Sequence, residues 1–259
     1  MGEIIFLGSG SSTGSPVIGC KCKTCRSNIR YNKRLRPSIL IKEKNAKILV
    51  DSGPDIRLQA LKYNINRLDA LIITHNHYDH IAGIDDLRIY NRMQKKELKC
   101  FLLKETFLEI EDKYPYFFEP NKRGHTQSAR FDFQILDDKK DSFEFKNIKF
   151  DYFSYFQDSK KVLGFRINNI AYVTDIKRYK KDIFSKLKNL DVLILSCLRY
   201  ERSEVHFNIK EALEFSKIVN PKITYLTHLG HELEYSSTSN DLPPKVKLSY
   251  DGLKIKFWV

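Results

Sequence analysis

One heptapeptide constrains this chain more than any other feature. Thr74-His75-Asn76-His77-Tyr78-Asp79-His80 directly follows the apolar run Leu71-Ile72-Ile73 and opens a helical pattern. Three of the seven histidines and a carboxylate fall within these positions. In an extended stretch His75 and His77 point the same way, while Asp79 and His80 fall on the tightening turn and can face a second ion. This mixture of imidazole and carboxylate suits a pair of borderline divalent cations such as zinc, iron or manganese. Two other strand-like runs end in a matching donor. Asp175 closes Ala171-Tyr172-Val173-Thr174, where a buried carboxylate is costly alone and natural when it bridges two cations. His228 closes Ile223-Thr224-Tyr225-Leu226-Thr227.

A second donor cluster stands near the start, in Cys20-Lys21-Cys22-Lys23-Thr24-Cys25. Three close thiols in a chain expected in the cytoplasm favour a metal over disulfides. A closed zinc site takes four ligands, and His231, three residues beyond His228, is the candidate for the fourth. Cys100 and Cys197 lie in apolar runs and read as ordinary buried thiols.

The rest of the 259 residues supplies the body around these clusters. At 42% hydrophobic and 12% aromatic, the composition allows a large core and excludes disordered, collagen-like and small disulfide-scaffold classes. No apolar run approaches the roughly 18 residues of a membrane span. Met1 to Gly8, with Glu3 and a short apolar stretch, does not read as a secretory signal. A cytoplasmic protein without membrane contact is therefore expected. Lys and Arg outnumber Asp and Glu by 45 to 32, a formal charge of +13. That surplus favours phosphate-bearing partners, but the basic residues are scattered (Lys95-Lys96, Lys139-Lys140, Lys160-Lys161) and form no single block.

With no internal repeat and no long linker, one domain over 1–259 is expected, with the less regular residues 95–141 as a protruding or lid-like excursion. Strands come first as a hairpin, Ile39-Leu40-Ile41 and Ile48-Leu49-Val50. They then alternate with helical patterns at 54–63, 81–93, 106–112, 181–188 and 208–219. That order predicts an α/β protein with a sheet-on-sheet core and outer helices, not a doubly wound parallel sheet.

The pattern H-x-H-x-D-H after a strand resembles the signature of the metallo-β-lactamase fold. Gly8-Ser9-Gly10-Ser11-Ser12-Thr13-Gly14-Ser15-Pro16, followed by the cysteine cluster, narrows the likeness. The chain resembles the phosphodiesterase of the carbon–phosphorus lyase pathway and its relatives, which are also similar to the tRNase Z group. Further matching segments are Asp51-Ser52-Gly53-Pro54-Asp55-Ile56-Arg57, Gly83-Ile84-Asp85-Asp86-Leu87-Arg88, Val162-Leu163-Gly164-Phe165-Arg166, Tyr172-Val173-Thr174-Asp175, Leu226-Thr227-His228 and Tyr250-Asp251-Gly252-Leu253.

The resemblance implies an αβ/βα sandwich, two mixed sheets with helices on the outer faces and a dinuclear site at one edge. Carried onto this chain, it implies His75, His77 and Asp175 on one ion, and Asp79, His80, Asp175 and His228 on the other. It implies a structural zinc on Cys20, Cys22, Cys25 and His231, and a homodimer. It also marks His206 as a histidine that contacts substrate or assists the leaving group, so His206 and Asp79 are the candidate catalytic residues.

One segment departs from the family. A further ligand histidine belongs just ahead of Val162-Leu163-Gly164, where this chain has Tyr155-Phe156-Gln157-Asp158-Ser159-Lys160. Counting back from Gly164 puts Asp158 in the ligand's place, with Gln157 next. A carboxylate there would shift preference toward manganese or iron.

The implied function is hydrolysis of a small or cyclic phosphodiester by a hydroxide bridging two zinc, manganese or iron ions. Arg57, Arg88 and lysines near the mouth are candidates for binding the substrate anion. The alternatives are a tRNase Z-like nuclease acting on nucleic acid, and a metal-binding protein whose catalysis is weakened by the missing histidine.

Overall fold

In the computed structural model, residues 1–118, 128–137 and 140–258 are described. The first sheet is laid down by β1 (Gly2–Gly8), β2 (Ser38–Glu43), β3 (Ala46–Val50), β4 (Ala70–Ile72), β5 (Leu98–Leu103) and β6 (Phe131–Leu136). The second follows as β7 (Ser142–Phe145), β8 (Ile148–Gln157), β9 (Lys160–Ile167), β10 (Ile170–Val173), β11 (Val192–Ser196), β12 (Ile223–Thr227) and β13 (Val246–Leu248). The chain then returns as β14 (Lys254–Phe257), which pairs with β1. The strand orders are β14-β1-β2-β3-β4-β5-β6 and β13-β12-β11-β10-β9-β8-β7.

Both sheets follow one plan. Antiparallel strands come first, β1-β2-β3 and β7-β8-β9-β10. Parallel strands then continue each sheet, β4-β5-β6 and β11-β12-β13. Each parallel step needs a crossover, which a helix supplies. In the first sheet these are Ile56–Lys62, Arg88–Gln94 and Lys104–Lys113; in the second they include Ile209–Val219 and Tyr235–Asp241.

Strand side chains alternate between the faces of a sheet, and here both faces are covered. Ile4, Phe6, Ile39, Ile41, Ile48 and Val50 meet Phe165, Tyr172, Val192 and Ile194 between the sheets. Ile5, Leu7, Leu40 and Leu49 face outward into the cluster beneath the first sheet's helices. Ala171, Val173, Leu193 and Leu195 do the same for the second sheet. Burial on both sides explains why the strands read as continuous apolar runs.

The segment expected as an excursion is largely structural. β5, the helix Lys104–Lys113 and β6 all fall within 95–141 and extend the first sheet. Residues 119–127 and 138–139 of that expectation, including Lys139, lie outside the described residues. Among the described residues, no helix is long and apolar enough to cross a membrane.

Candidate metal centre

β3 and β4 are parallel neighbours, as are β10, β11 and β12. The crevice outside the carboxyl ends of such strands is where α/β sheets bind ligands. Residues 74–80 leave β4 and enter the short helix Tyr78–Ile81. Asp175 follows β10, His206 lies between β11 and the helix Ile209–Val219, and His228 follows β12. Asp51, Asp175 and His228, each one or two residues beyond a strand, have φ of 62°, 53° and 59°. A non-glycine residue in that left-handed region stores about 1–3 kcal/mol of strain, and such residues gather at functional sites.

The side chains converge. His75 Nε2 is 3.2 Å and His80 Nε2 2.9 Å from Asp175 Oδ2. His228 Nε2 is 3.2 Å from both Asp175 Oδ1 and Asp79 Oδ2. The donors form two groups, His75, His77 and Asp175, and Asp79, His80, Asp175 and His228. Within each group the ligand atoms lie within 4.8 Å of one another, and Asp175 belongs to both. Despite these separations, the buried His75 Nε2, His80 Nε2 and Asp175 Oδ2 make no hydrogen bond. Leaving such atoms unsatisfied costs about 1–3 kcal/mol each. Divalent cations fit this space, because imidazole and carboxylate lone pairs face it together.

The far side of the imidazoles is tied down. His80 Nδ1 donates to Asp51 Oδ2 at 2.7 Å. The Thr74 amide and hydroxyl also donate to Asp51, and the same hydroxyl lies 3.0 Å from His75 Nδ1. A carboxylate behind a histidine fixes its tautomer and leaves Nε2 free for a metal. Sequence reasoning gave Asp51 no role, although it closes the apolar β3 just as Asp175 follows β10.

Burial sorts the histidines into two electrostatic classes. It lowers His75, helped by the charge of His80, and brings His77 and His206 down to about 4. Burial also works against a charged His80, but Asp79, Asp51 and Asp175 outweigh it and hold His80 well above its usual value. His228 is raised against burial by Asp175 and Asp79. Burial favours a protonated Asp175, yet His228 and His80 drive it well below the carboxylate range.

A cleft of about 270 Å³ opens over the centre, with His77, Asp79, Gln157, Lys160, Asp175 and His206 in its wall. His206 is buried, stacks on His228 with ring centroids 4.8 Å apart, and places Nδ1 3.8 Å from Asp175 Oδ1. Neither Arg57 nor Arg88 is among the residues of this wall, and Arg88 is paired with Asp85 at 2.6 Å. Among the described residues of this wall the cation is Lys160, which also bonds Glu109.

The family model for the β-lactamase superfamily domain matches residues 46–229, a span that contains the motif, Asp175, His206 and His228. The chain belongs to the β-lactamase superfamily. It is similar to an octanoyltransferase of Porphyromonas gingivalis, with 34% identity over 255 residues, 96% of this chain and 50% of that protein. It is also similar to a ribonuclease Z of Sulfolobus acidocaldarius, with 31% identity over 123 residues, 45% of this chain and 36% of that protein. The chain thus spans half or less of the length of these curated relatives. A solved diphosphatase from the PhnP family superposes with a TM-score of 0.92 at 29% identity, covering 100% of this chain and 99% of that one. The metallo-β-lactamase fold expected from the sequence is the fold observed.

Against that superfamily pattern, one expected ligand is not where counting put it. Asp158 sits on the turn between β8 and β9 with φ 47°, exposed and accepting from the Ser159 hydroxyl. It lines the outer cleft but belongs to neither donor group. Tyr155 and Gln157 are the buried positions at the end of β8 and Phe156 is exposed, whereas Asp158 lies past the last strand residue, on the turn, and is exposed. Gln157 takes the inner place, only 3% exposed.

The cysteine cluster also assembles. Sγ of Cys20 and Cys22 lie 3.4 Å, and Sγ of Cys25 3.5 Å, from His231 Nδ1. The backbone N–H of Cys25 donates to Cys22 and brings its thiol down to about 6, while burial pushes Cys25 up to about 11. Three thiols and one imidazole around one point fit a closed zinc site. The cluster joins the loop after β1 to the loop that carries His228. Those loops are further pinned by Ser11 and Leu229 at 3.0 Å and by buried Arg34 donating to the carbonyls of Gly230 and Leu233.

Proposed function

We propose that the protein is a metal-dependent phosphodiesterase acting on a small or cyclic phosphodiester. The observation that carries this reading is the sharing of Asp175 by two donor groups beside a buried, neutral imidazole. A pair of divalent cations bound there supplies Lewis acidity and an activated water for in-line displacement at phosphorus. Asp175 ties the two sites together, and Asp51 holds His80 in the tautomer that offers Nε2 inward.

His206 is the candidate proton-handling residue. With its value near 4 it is neutral at pH 7. Gln157 Nε2 donates to its Nε2 at 2.9 Å, so the imidazole proton sits on Nδ1. From there it can donate to a phosphoryl or leaving-group oxygen. Lys160 at the mouth and the overall charge of +13 draw in an anion.

The likeness to a PhnP-family diphosphatase supports phosphorus as the centre attacked. A cleft of about 270 Å³ supports a small substrate. The free thiols and the absence of a spanning helix among the described residues suit a cytoplasmic setting. The octanoyl transfer named for the P. gingivalis relative stays with that protein, of which this chain spans half.

The test is an assay of the purified protein, loaded with Mn²⁺ or Zn²⁺, against bis(p-nitrophenyl) phosphate, 2′,3′-cyclic nucleotides and a dinucleoside diphosphate. Turnover is expected with at least one metal. No turnover with either, at full occupancy, contradicts the reading. The ribonuclease Z likeness favours a second reading, cleavage of RNA. That reading requires tight RNA binding that falls steeply with salt.

A further inference from the structure

Gln157 is a buried polar side chain with half of its amide unemployed. Its Nε2 is committed to His206 at 2.9 Å, whereas Oε1 is buried and has no hydrogen-bond partner. His206 Nδ1 faces the Asp175 carboxylate at 3.8 Å, which places the imidazole proton on Nδ1 and leaves Nε2 to accept from the amide N–H, so the carbonyl is the free end of the amide. Both it and His206 share the cleft wall with His77 and Asp175. The two donor groups are also unequal. Asp79, His80, Asp175 and His228 offer four ligand atoms, whereas His75, His77 and Asp175 offer three. Three protein ligands and a water suffice for a catalytic zinc, whereas a cation such as manganese takes up to six donors, so the group of three has room for a further hard donor.

We propose that Gln157 Oε1 is the protein oxygen that completes the His75, His77 and Asp175 group. The amide then serves two neighbours, giving its carbonyl to the cation and its N–H to His206. It is a neutral, hard donor. Compared with a carboxylate at that place it leaves the site one unit more positive, and compared with an imidazole it favours manganese over zinc. Asp158, one residue on, remains outside this arrangement.

The proposal rests on the cluster being a cation centre, and the experiment separates the two ideas. The full chain, depleted at the centre by a chelator, is titrated with Mn²⁺ and Zn²⁺. Calorimetry and electron paramagnetic resonance follow wild type, Gln157→Met and Gln157→His. Methionine keeps the volume without a hard donor. Wild type is expected to take two Mn²⁺ with a spin-coupled signal. Gln157→Met should hold one ion at near wild-type affinity and the other at least about tenfold more weakly, with the coupled signal diminished at two equivalents of Mn²⁺ per chain. Gln157→His should regain the second ion and raise its preference for Zn²⁺ over Mn²⁺ by about tenfold or more.

Unchanged affinities and an unchanged coupled signal in Gln157→Met overturn the proposal and leave the centre standing. Should Gln157→Met fail to fold, Gln157→His decides alone, and unchanged metal preference overturns the assignment. A wild-type protein that binds no cation near Asp175 overturns both ideas.

Discussion

Asp51 and His206 flank the donor groups without belonging to either, and each has a separable effect. Asp51 accepts from His80 and Thr74 and touches no other group of the centre. Asp51→Asn should weaken cation binding by about 10–100-fold, as read by calorimetry, with the fold unchanged by circular dichroism. His206→Ala should lower kcat by about 10²–10⁴ while elemental analysis finds the same metal content.

The electrostatics make a pH prediction. Asp79, Asp51 and Asp175 hold His80 above its usual range, and Asp175 and Asp79 do the same for His228, so in the metal-free protein both bind a proton more tightly than a free imidazole does. Cations entering that group must displace those protons, so affinity should rise as pH climbs above 6.5. Calorimetry at pH 6 and pH 8, in buffers of differing ionisation enthalpy, checks both the slope and the proton release. His77, brought down to about 4 by burial, is neutral over this range and adds no slope. At this scale the motif was legible because its donors are adjacent in the chain. The choice between Asp158 and Gln157 was not, because counting residues back from Gly164 ignores that β8 ends on the buried Gln157 and that Asp158 lies on the exposed turn.

The helix Ile209–Val219 shows an element whose ends are written in its sequence. Asn208 accepts from the Glu211 N–H, Glu211 accepts from the Asn208 N–H, and both bonds are 2.9 Å. The helix begins just after His206, so the cap also sets where that histidine leaves the chain. Asn208→Ala should cost about 1 kcal/mol and lower Tm by roughly 2–4 °C, measured by thermal scanning. Residues 81–93, expected as one helix, are instead the end of Tyr78–Ile81, a 3-10 turn at Ile84–Leu87 and most of a second helix, Arg88–Gln94. The break has a packing cause. A Cβ on Gly83 would sit 2.2 Å from the Gly53 carbonyl, and one on Gly53 would sit 2.0 Å from the Asp79 carbonyl. The loop after β3 is thus pressed against the motif, and a continuous helix has no room there. β6 escaped sequence reading for a different reason. It is a half-exposed edge strand in which apolar and polar residues alternate, Phe131, Phe133 and Ile135 with Asp132 and Gln134 between them, so it forms no continuous apolar run of the kind that marked the other strands. The helix Tyr235–Asp241 is almost wholly polar and carries no apolar period to detect.

At the level of the whole molecule, the sequence contains no repeat, yet the two sheets follow one plan of antiparallel strands succeeded by parallel ones. Such likeness needs only similar burial patterns in the two halves, not similar residues. It is therefore invisible to self-comparison, and the sheet-on-sheet class could be read only from the order of runs. That plan brings the carboxyl ends of β3 and β4 to those of β10 and β12, and only this meeting lets His75 and His228, about 150 residues apart, share the Asp175 carboxylate. Anomalous diffraction from crystals of the metal-loaded protein, at the zinc and manganese edges, tests this most directly. Two peaks about 3.5–4 Å apart on either side of the Asp175 carboxylate are predicted. One peak or none within ligand distance of Asp175, at full loading, would contradict the account.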